Sequence, residues 1–280
     1  MKQVSKKIVF SIAVLLLIIT SCYKSEDVPE IVLVAQSEFI QKLLIEDYTG
    51  TWCVYCTGAG AGIHTAVHGN STIAGNNRFI PIALHYRSLT NPEEMQNGYS
   101  EALVAEFNPG LGFPRVALNR NETIWSNDYK VSDLELLLNK YAPVGLAINS
   151  TLTGNALDLT VKVGFVQELT TVNNYKLVVY LVEDGLIYAQ HNASLSDQPA
   201  IIEDYVHNDV LRFSFTDVFG EAIPNQIANN HRYSKTFTAI ELPNTIQNIS
   251  NTRIIAFVVD TNNKCLNVQM AAIGVNKDFD

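Results

Sequence analysis

The sequence predicts an α/β half followed by an all-β antiparallel sandwich of immunoglobulin-like type, and three observations predict it. Up to about residue 141, apolar runs and helical spacings succeed one another as β, α, β, α, turn, β, α. Beyond Pro143 the apolar period changes to two, with short turns and no helical stretch. At the junction of the first strand and first helix stands Trp52-Cys53-Val54-Tyr55-Cys56. A chain of 280 residues has room for both halves. With 47% hydrophobic residues, 15 glycines and 9 prolines it is neither disordered nor collagen-like, and four cysteines are too few for a disulfide-stapled mini-scaffold. A net charge of −9, from 19 basic and 28 acidic side chains, argues against a nucleic-acid partner.

The chain opens with Lys2, Lys6 and Lys7 ahead of an apolar run, Ile8 to Ile19, broken only by Ser11. That run is short for a membrane span and suits a signal-peptide core. Ile19-Thr20-Ser21-Cys22 resembles the lipobox of bacterial lipoproteins. The resemblance implies that residues 1–21 are removed and that Cys22 carries the lipid that holds the protein on a membrane. Several acyl chains anchor stably where a single one does not. Tyr23, rather than an aspartate, follows the cysteine, which by the sorting rule of Gram-negative bacteria implies the outer membrane with its side left open. The mature chain would have 280 − 21 = 259 residues and, losing three lysines and no acids, a charge of 16 − 28 = −12. Its compartment is oxidising, so thiol pairs can be disulfides.

Residues 22–30 read as a lipidated tether, 31–143 as the α/β domain and 144–280 as the sandwich. In the first, Gln41–Thr49 reads as a strand and Cys56–His68 as a helix, weakened by about 1 kcal/mol at each of Gly58, Gly60 and Gly62. Arg78–Tyr86 suits a buried strand, with Pro81 pointing to an edge or a bulge. Tyr99, Leu103 and Phe107 are helically spaced; a glycine- and proline-containing turn, a strand at Val116–Asn119 and an amphipathic helix at Val131–Tyr141 follow. In the second half Leu157, Leu159, Val161, Val163 and Phe165 alternate with polar or small residues. Leu211/Phe213/Phe215, Tyr233/Lys235/Phe237 and Leu266/Val268/Met270 repeat the pattern, and Gly154-Asn155, Asp184-Gly185 and Asn262-Asn263 mark turns.

A Cys-x-x-Cys that follows a strand and opens a helix has a chemical purpose. Unpaired N–H groups and the helix dipole favour a thiolate on the first sulfur. The second sulfur, about one turn on, can close a disulfide and release a bound substrate sulfur. The same spacing also serves an inert structural disulfide or a metal site. The metal reading meets a geometric obstacle in His64 and His68, because Cys56 and His64 are about 12 Å apart along one helix at about 1.5 Å per residue. No metal is expected. Gly58-Ala-Gly60-Ala-Gly62 lacks the spacing of a dinucleotide loop.

Over about residues 31–141 the sequence resembles the thioredoxin superfamily. Asp47, six residues before Cys53, stands where the superfamily has a buried acid that moves a proton for the inner cysteine. Glu46 is the neighbouring candidate if the strand register is shifted by one. Gly112-Phe113-Pro114-Arg115 matches the loop that places a cis-proline beside the cysteines, which would give Phe113 and Pro114, with Trp52, a role in substrate docking. Val54-Tyr55 replaces the Gly-Pro of the best-known pattern, and Thr57 stands where many relatives have proline or lysine, so the redox direction stays open. More narrowly, the layout resembles an outer-membrane lipoprotein family of Bacteroidota. The resemblance rests on the lipobox, Thr49-Gly50-Thr51-Trp52-Cys53-x-x-Cys56, the Gly112–Arg120 segment, Tyr205-Val206-His207-Asn208 and Leu211-Arg212.

These resemblances imply a lipid-anchored thiol–disulfide oxidoreductase. Cys53 would attack a substrate disulfide, Cys56 would resolve the mixed disulfide and Asp47 would assist the proton. The partners would be protein thiols or disulfides and a redox protein that recycles the pair, with no bound cofactor. The rival reading is a surface lipoprotein that binds a protein or glycan through the sandwich, with Cys53–Cys56 as a structural disulfide. His85 and Tyr86 read as the end of a strand; His207, Asn208 and Arg212 as a polar cluster at a strand end; and Cys265 as a poorly reactive thiol in a strand.

Overall fold

Strand β1, Leu43–Thr49, is buried at every position, and its two faces carry different chemistry. Leu43 and Ile45 point to one helix layer, while Leu44 and Tyr48 point to the other. Helix α1, Cys56–His68, lays Ala59, Ile63 and Ala66 on the first face, at the 3- and 4-residue spacing of an amphipathic helix. Strand β2, Phe79–His85, runs parallel to β1 in register from Leu43 opposite Phe79 to Thr49 opposite His85. Helix α2, Gly98–Phe107, covers the second face with Leu103 and Val104. Its capping box is complete: Asn97 Oδ1 accepts from Ser100 N at 3.0 Å and Ser100 Oγ accepts from Asn97 N at 3.1 Å. Strand β3, Arg115–Leu118, is antiparallel to β1, and β4, Thr123–Ile124, is antiparallel to β3.

The computed structural model describes residues 38–68, 78–120, 123–124, 136–166, 174–225 and 232–280. The signal segment, Cys22, the tether and residues 131–135 of the expected third helix lie outside the described residues.

Past Pro143, β5 (Val144–Thr153), β6 (Ala156–Phe165) and, later, β12 (Arg232–Glu241) form a three-stranded antiparallel sheet in the order β12-β6-β5. Strand β7 spans Lys176–Glu183, β8 Leu186–His191 and β9 Ile201–His207; β8 and β9 pair as a hairpin. Strands β10 (Val210–Ser214), β11 (Glu221–Ala222), β13 (Thr252–Val259) and β14 (Cys265–Ala272) complete the set. Among the described residues nine strands share one sheet, ordered β14-β13-β7-β10-β2-β1-β3-β4 with β11 beside β7. The molecule is β-rich.

The expected boundary at residue 143/144 is not an edge of this sheet. Strand β10 from the second half pairs in parallel with β2 from the first, Val210 opposite Ala83. Because β10 meets β2 only there, Pro81 lies beyond its end, and the missing N–H of proline breaks no ladder bond on that side. The period-two expectation holds for β6, whose Leu157, Leu159, Val161 and Val163 fill one core. It does not describe β7 or β13. Leu177, Val179 and Leu181 of β7 face the three-stranded sheet, while Val178, Tyr180 and Val182 face the layer of α2. Ile254, Ala256 and Val258 of β13 divide from Ile255, Phe257 and Val259 in the same way. Strands covered on both faces read as continuous apolar runs.

A buried ion pair of the first half is tied to the second across the same boundary through Tyr180. The Arg120 guanidinium bonds Glu46 Oε1 at 3.0 and 3.1 Å and Tyr180 Oη at 3.1 Å, with both charged side chains fully buried. Phe107 and Phe257 flank it, their ring centres 4.8 and 5.0 Å from Arg120 Cζ.

Candidate functional site

The Cys53–Cys56 disulfide lies in the turn that leads from β1 into α1, with Cα atoms 5.4 Å apart. Cys53 N donates to Gly50 O at 3.0 Å and Cys56 N to Cys53 O at 3.1 Å, so successive tight turns deliver the chain into the helix. Regular α1 starts at Cys56, three residues after Cys53. Each cysteine is only 4% exposed, whereas Val54 and Tyr55 between them are 37% and 59% exposed.

Trp52 is fixed beside the pair. Its Nε1 donates to Tyr86 O at 2.8 Å, and its ring meets Phe113 edge-on with centroids 5.4 Å apart. Phe113 stacks on Tyr86, and the Phe113–Pro114 peptide is cis. A Cβ on Gly50 would lie 2.6 Å from Trp52 Nε1 and 2.8 Å from Tyr86 O, so the close approach of the indole requires glycine there. Trp52, Tyr86, Leu89, Leu111 and Phe113 line a groove of about 770 Å³.

The β8–β9 hairpin closes the other side of the cysteine turn. His191 N donates to Thr51 O at 2.8 Å and Ala193 N to Val54 O at 2.7 Å. Gln190 Nε2 donates to Gly50 O and Cys53 O at 3.2 and 3.1 Å, and Ser194 Oγ to Tyr55 O at 3.3 Å. Asn192 Oδ1 accepts from Thr57 Oγ1 at 2.8 Å while its Nδ2 donates to Leu195 O and Pro199 O, which locks the hairpin loop to the helix start. Two of the three glycines of α1 acquire a reason here. A Cβ on Gly58 would fall 2.9 Å from Ser194 Cβ, and one on Gly60 would fall 3.3 Å from Tyr205 Oη. Helix propensity is given up so that the hairpin can approach.

Behind the disulfide, a cavity of about 780 Å³ is lined by Cys56 and His64 of α1, Asp47 of β1 and His85 of β2, with Tyr205 and His207 from the hairpin. Asp47 shares the face of Leu43 and Ile45, and its Oδ1 is buried without a hydrogen-bond partner. Burial, and then the negative charge of Asp209, push its carboxyl up to about 7. Glu46 points the other way into the Arg120 pair, which settles the register in favour of Asp47. His85 is not merely a strand end. Its Nδ1 lies 3.2 Å from Glu93 Oε1, while Glu93 Oε2 accepts from Thr51 N and Oγ1 at 2.6 and 3.0 Å. His207 packs 5.1 Å from the His85 ring, and burial, aided by His85, lowers its pKa to about 3, so it is a neutral imidazole at ordinary pH.

The structure therefore brings Phe113, with Pro114 next to it in the chain, against Trp52 beside the Cys53–Cys56 turn, and places Asp47 on the cavity that Cys56 lines. Of the polar cluster in the second half, His207 and Asn208 line this cavity and Arg212 does not. Arg212 pairs with Glu183 at 3.1 Å, and Asn208 Oδ1 accepts from Gly185 N at 3.0 Å. Cys265 is buried, its Sγ 3.5 Å from Asn267 O. Gln190, Asn192 and Asp209 carry no motif, and the one sequence signal toward them is the nearness of Asp209 to His207.

The model of the Omp28 outer membrane protein family matches residues 101–277, well over half of the chain. The chain belongs to the Omp28 family. It is a protein of the outer membrane, in agreement with the narrower resemblance and with the expected location. The match starts after Cys53 and Cys56, so membership by itself assigns them no role. Among solved structures, HBP35 of Porphyromonas gingivalis superposes with a TM-score of 0.66 at 18% identity, covering 85% of this chain and 77% of that one. At that identity the likeness concerns the fold alone. A domain of the outer membrane lipoprotein Omp28 from Porphyromonas gingivalis aligns at 19% identity over 48% of this chain and 90% of its own, with a TM-score of 0.30 that carries no argument. No curated protein matches the chain.

Proposed function

We propose that this Omp28 protein is a lipoprotein, anchored through Cys22, that exchanges disulfides with extracytoplasmic proteins through Cys53 and Cys56, on a thioredoxin-like first half. The observation that carries the reading is the disulfide at the head of α1 with an unpartnered buried acid, Asp47, in the cavity lined by Cys56. From the dithiol form, Cys53 thiolate attacks a client disulfide and joins the client sulfur, releasing the other client sulfur as a thiolate. Cys56 then attacks Cys53 Sγ. The Cys53–Cys56 bond forms, the bond to the client breaks, and the Cys56 proton passes to Asp47. Two electrons have moved from the pair to the client, and a dithiol protein must return them. The groove of Trp52, Tyr86 and Phe113 supplies an apolar rim on which a client peptide would lie. The test is trapping in the full chain: Cys56→Ser should accumulate mixed disulfides through Cys53. Absence of any trapped partner, together with no disulfide reductase or oxidase activity, contradicts the reading.

A second reading is supported by the cover over the cysteines and, more than the first, by the comparisons, since the family description names an outer-membrane protein and no redox activity. Here the chain binds a protein or glycan through its second half, and the disulfide staples the turn on which the hairpin rests. Ile187, Ile201 and Val206 on the exposed side of that hairpin, 59%, 43% and 51% exposed, would be its contact residues. Unchanged ligand binding in Cys53→Ser/Cys56→Ser, without any trapped client in Cys56→Ser, selects this reading.

A further inference from the structure

The cavity behind Cys56 has a second carboxylate wall. Asp209 lies in the turn from β9 to β10, with a backbone φ of +61°, and its neighbour Val210 stands opposite Ala83, which stands opposite Asp47. The two acids thus lie about two strand spacings apart, or about 10 Å between backbones, before their side chains enter the same cavity. Several contacts hold Asp209 in place. Its carbonyl accepts from Ala83 N at 2.8 Å, its N–H donates to Asp184 Oδ1 at 2.7 Å, and its carboxylate pairs with Arg253 Nη2 at 2.6 Å. Arg253 also pairs with Asp184. Asp47 is 8% exposed, with Oδ1 unpartnered, whereas the Asp209 side chain is 20% exposed. One acid is buried on the cavity that Cys56 lines and the other reaches solvent.

We propose that Asp47 and Asp209 form a two-carboxylate proton site, in which Asp209 relays to solvent the proton that Asp47 takes from Cys56. As a role for Asp209, this rests on the thiol–disulfide reading above. When Cys56 Sγ bonds to Cys53 Sγ and the client leaves as a thiolate, the Cys56 proton moves to Asp47. It then passes across the cavity to Asp209 and out to water, so the cavity returns to the charge it had before the step. Two neighbouring carboxylates in a low-dielectric space resist a second ionisation, which keeps one proton between them. The other titratable groups facing the pair are Cys56 and His64 from α1, His85 from β2, and Tyr205 and His207 from β9. Asp184 and Arg253 flank Asp209 itself. The acidic triad with its single arginine keeps the cavity negative. Consistent with this, burial raises Asp209 to about 6 despite Arg253, and Asp209 is itself a cause of the raised Asp47.

The test is a pH titration of the mature full chain, labelled with carbon-13 at its aspartate carboxyl carbons and held in the disulfide form. Asp209→Asn, which keeps a hydrogen-bonding group beside Arg253, should lower the Asp47 midpoint by about one pH unit. Asp209→Ser, which removes the charge with a smaller side chain, should lower the Asp47 midpoint in the same way, which provides the answer even if Asp209→Asn fails to fold. Unchanged midpoints in whichever of these variants fold overturn the proposal. In the reduced protein, Asp209→Asn should also move the acidic limb of the rate at which Cys56 resolves a mixed disulfide in the same direction. Coupled midpoints with an unmoved limb overturn the relay. Coupled midpoints with no exchange at any pH support the shared proton and count against the exchange reading instead.

Discussion

Arg120 shows at the scale of one residue how much the packing demands of a charge. Its guanidinium is fully buried and held by Glu46, Tyr180 and two aromatic faces, and the Glu46 charge keeps it firmly protonated despite its desolvation. Arg120→Met leaves the Glu46 carboxylate without its partner in a dry core. Urea unfolding should show a loss of about 3–5 kcal/mol; a loss below about 1 kcal/mol would mean that water reaches the site. Asp47 makes a prediction with a defined sign. The folded chain holds its proton up to about pH 7, against 3.8 for an ordinary aspartate. Between those values the folded state binds more protons than the unfolded one, so the contribution of Asp47 to stability falls as pH rises through this window and is least favourable above pH 7. Asp47→Asn should therefore stabilise the protein at pH 8, by a few kcal/mol, and change little at pH 4. Equal effects at both pH values would mean that Asp47 ionises normally. Cys53, Cys56, Asp47, Trp52 and the Phe113-Pro114 pair were legible because each sits at a fixed offset within one stretch of chain. The burial of Arg120 is not legible in the segment that carries it, since nothing local distinguishes a buried arginine from an exposed one.

The decisive element is the β8–β9 hairpin. The glycines of α1 weaken the helix, and the hairpin explains two of the three: Gly58 and Gly60 clear space for Ser194 and Tyr205. Neither side of that contact can be read alone, because the partners are well over a hundred residues apart and pair through backbone groups that every sequence has. Asn192 is the pin, accepting from Thr57, Ser194 and Leu195 at once. Asn192→Ala should loosen the cover through local opening and speed reduction of the disulfide by a small thiol about tenfold, followed by Trp52 fluorescence. An unchanged rate would show that the hairpin does not limit access. Gly58→Ala tests the same contact from the helix side. It should destabilise the chain by about 1–3 kcal/mol, even though alanine is the better helix former, because the added methyl meets Ser194.

Across the whole molecule, one sheet runs from β14 to β4 and passes through the place where two domains were expected to part. The sequence signals on either side of Pro143 differ in period, and period reports what covers each strand rather than which strands share a sheet. That is why the strand positions were legible and the join at Val210 and Ala83 was not. Cutting at residue 143 would strip β2 of β10 and divide the core shared by Ile82, Leu84, Tyr180 and Phe257. Fragments 38–143 and 144–280 should each lack a cooperative melt by circular dichroism, while the joined chain melts as one transition; two independently melting fragments would contradict this. The reduction potential of Cys53–Cys56 in the full folded chain, measured by equilibration with defined thiol buffers, tests the central claim most directly. An exchange site should equilibrate while folded, at a potential above about −300 mV. A pair that stays oxidised below about −300 mV, or yields only when the protein unfolds, would contradict exchange and leave the disulfide as a staple beneath the hairpin.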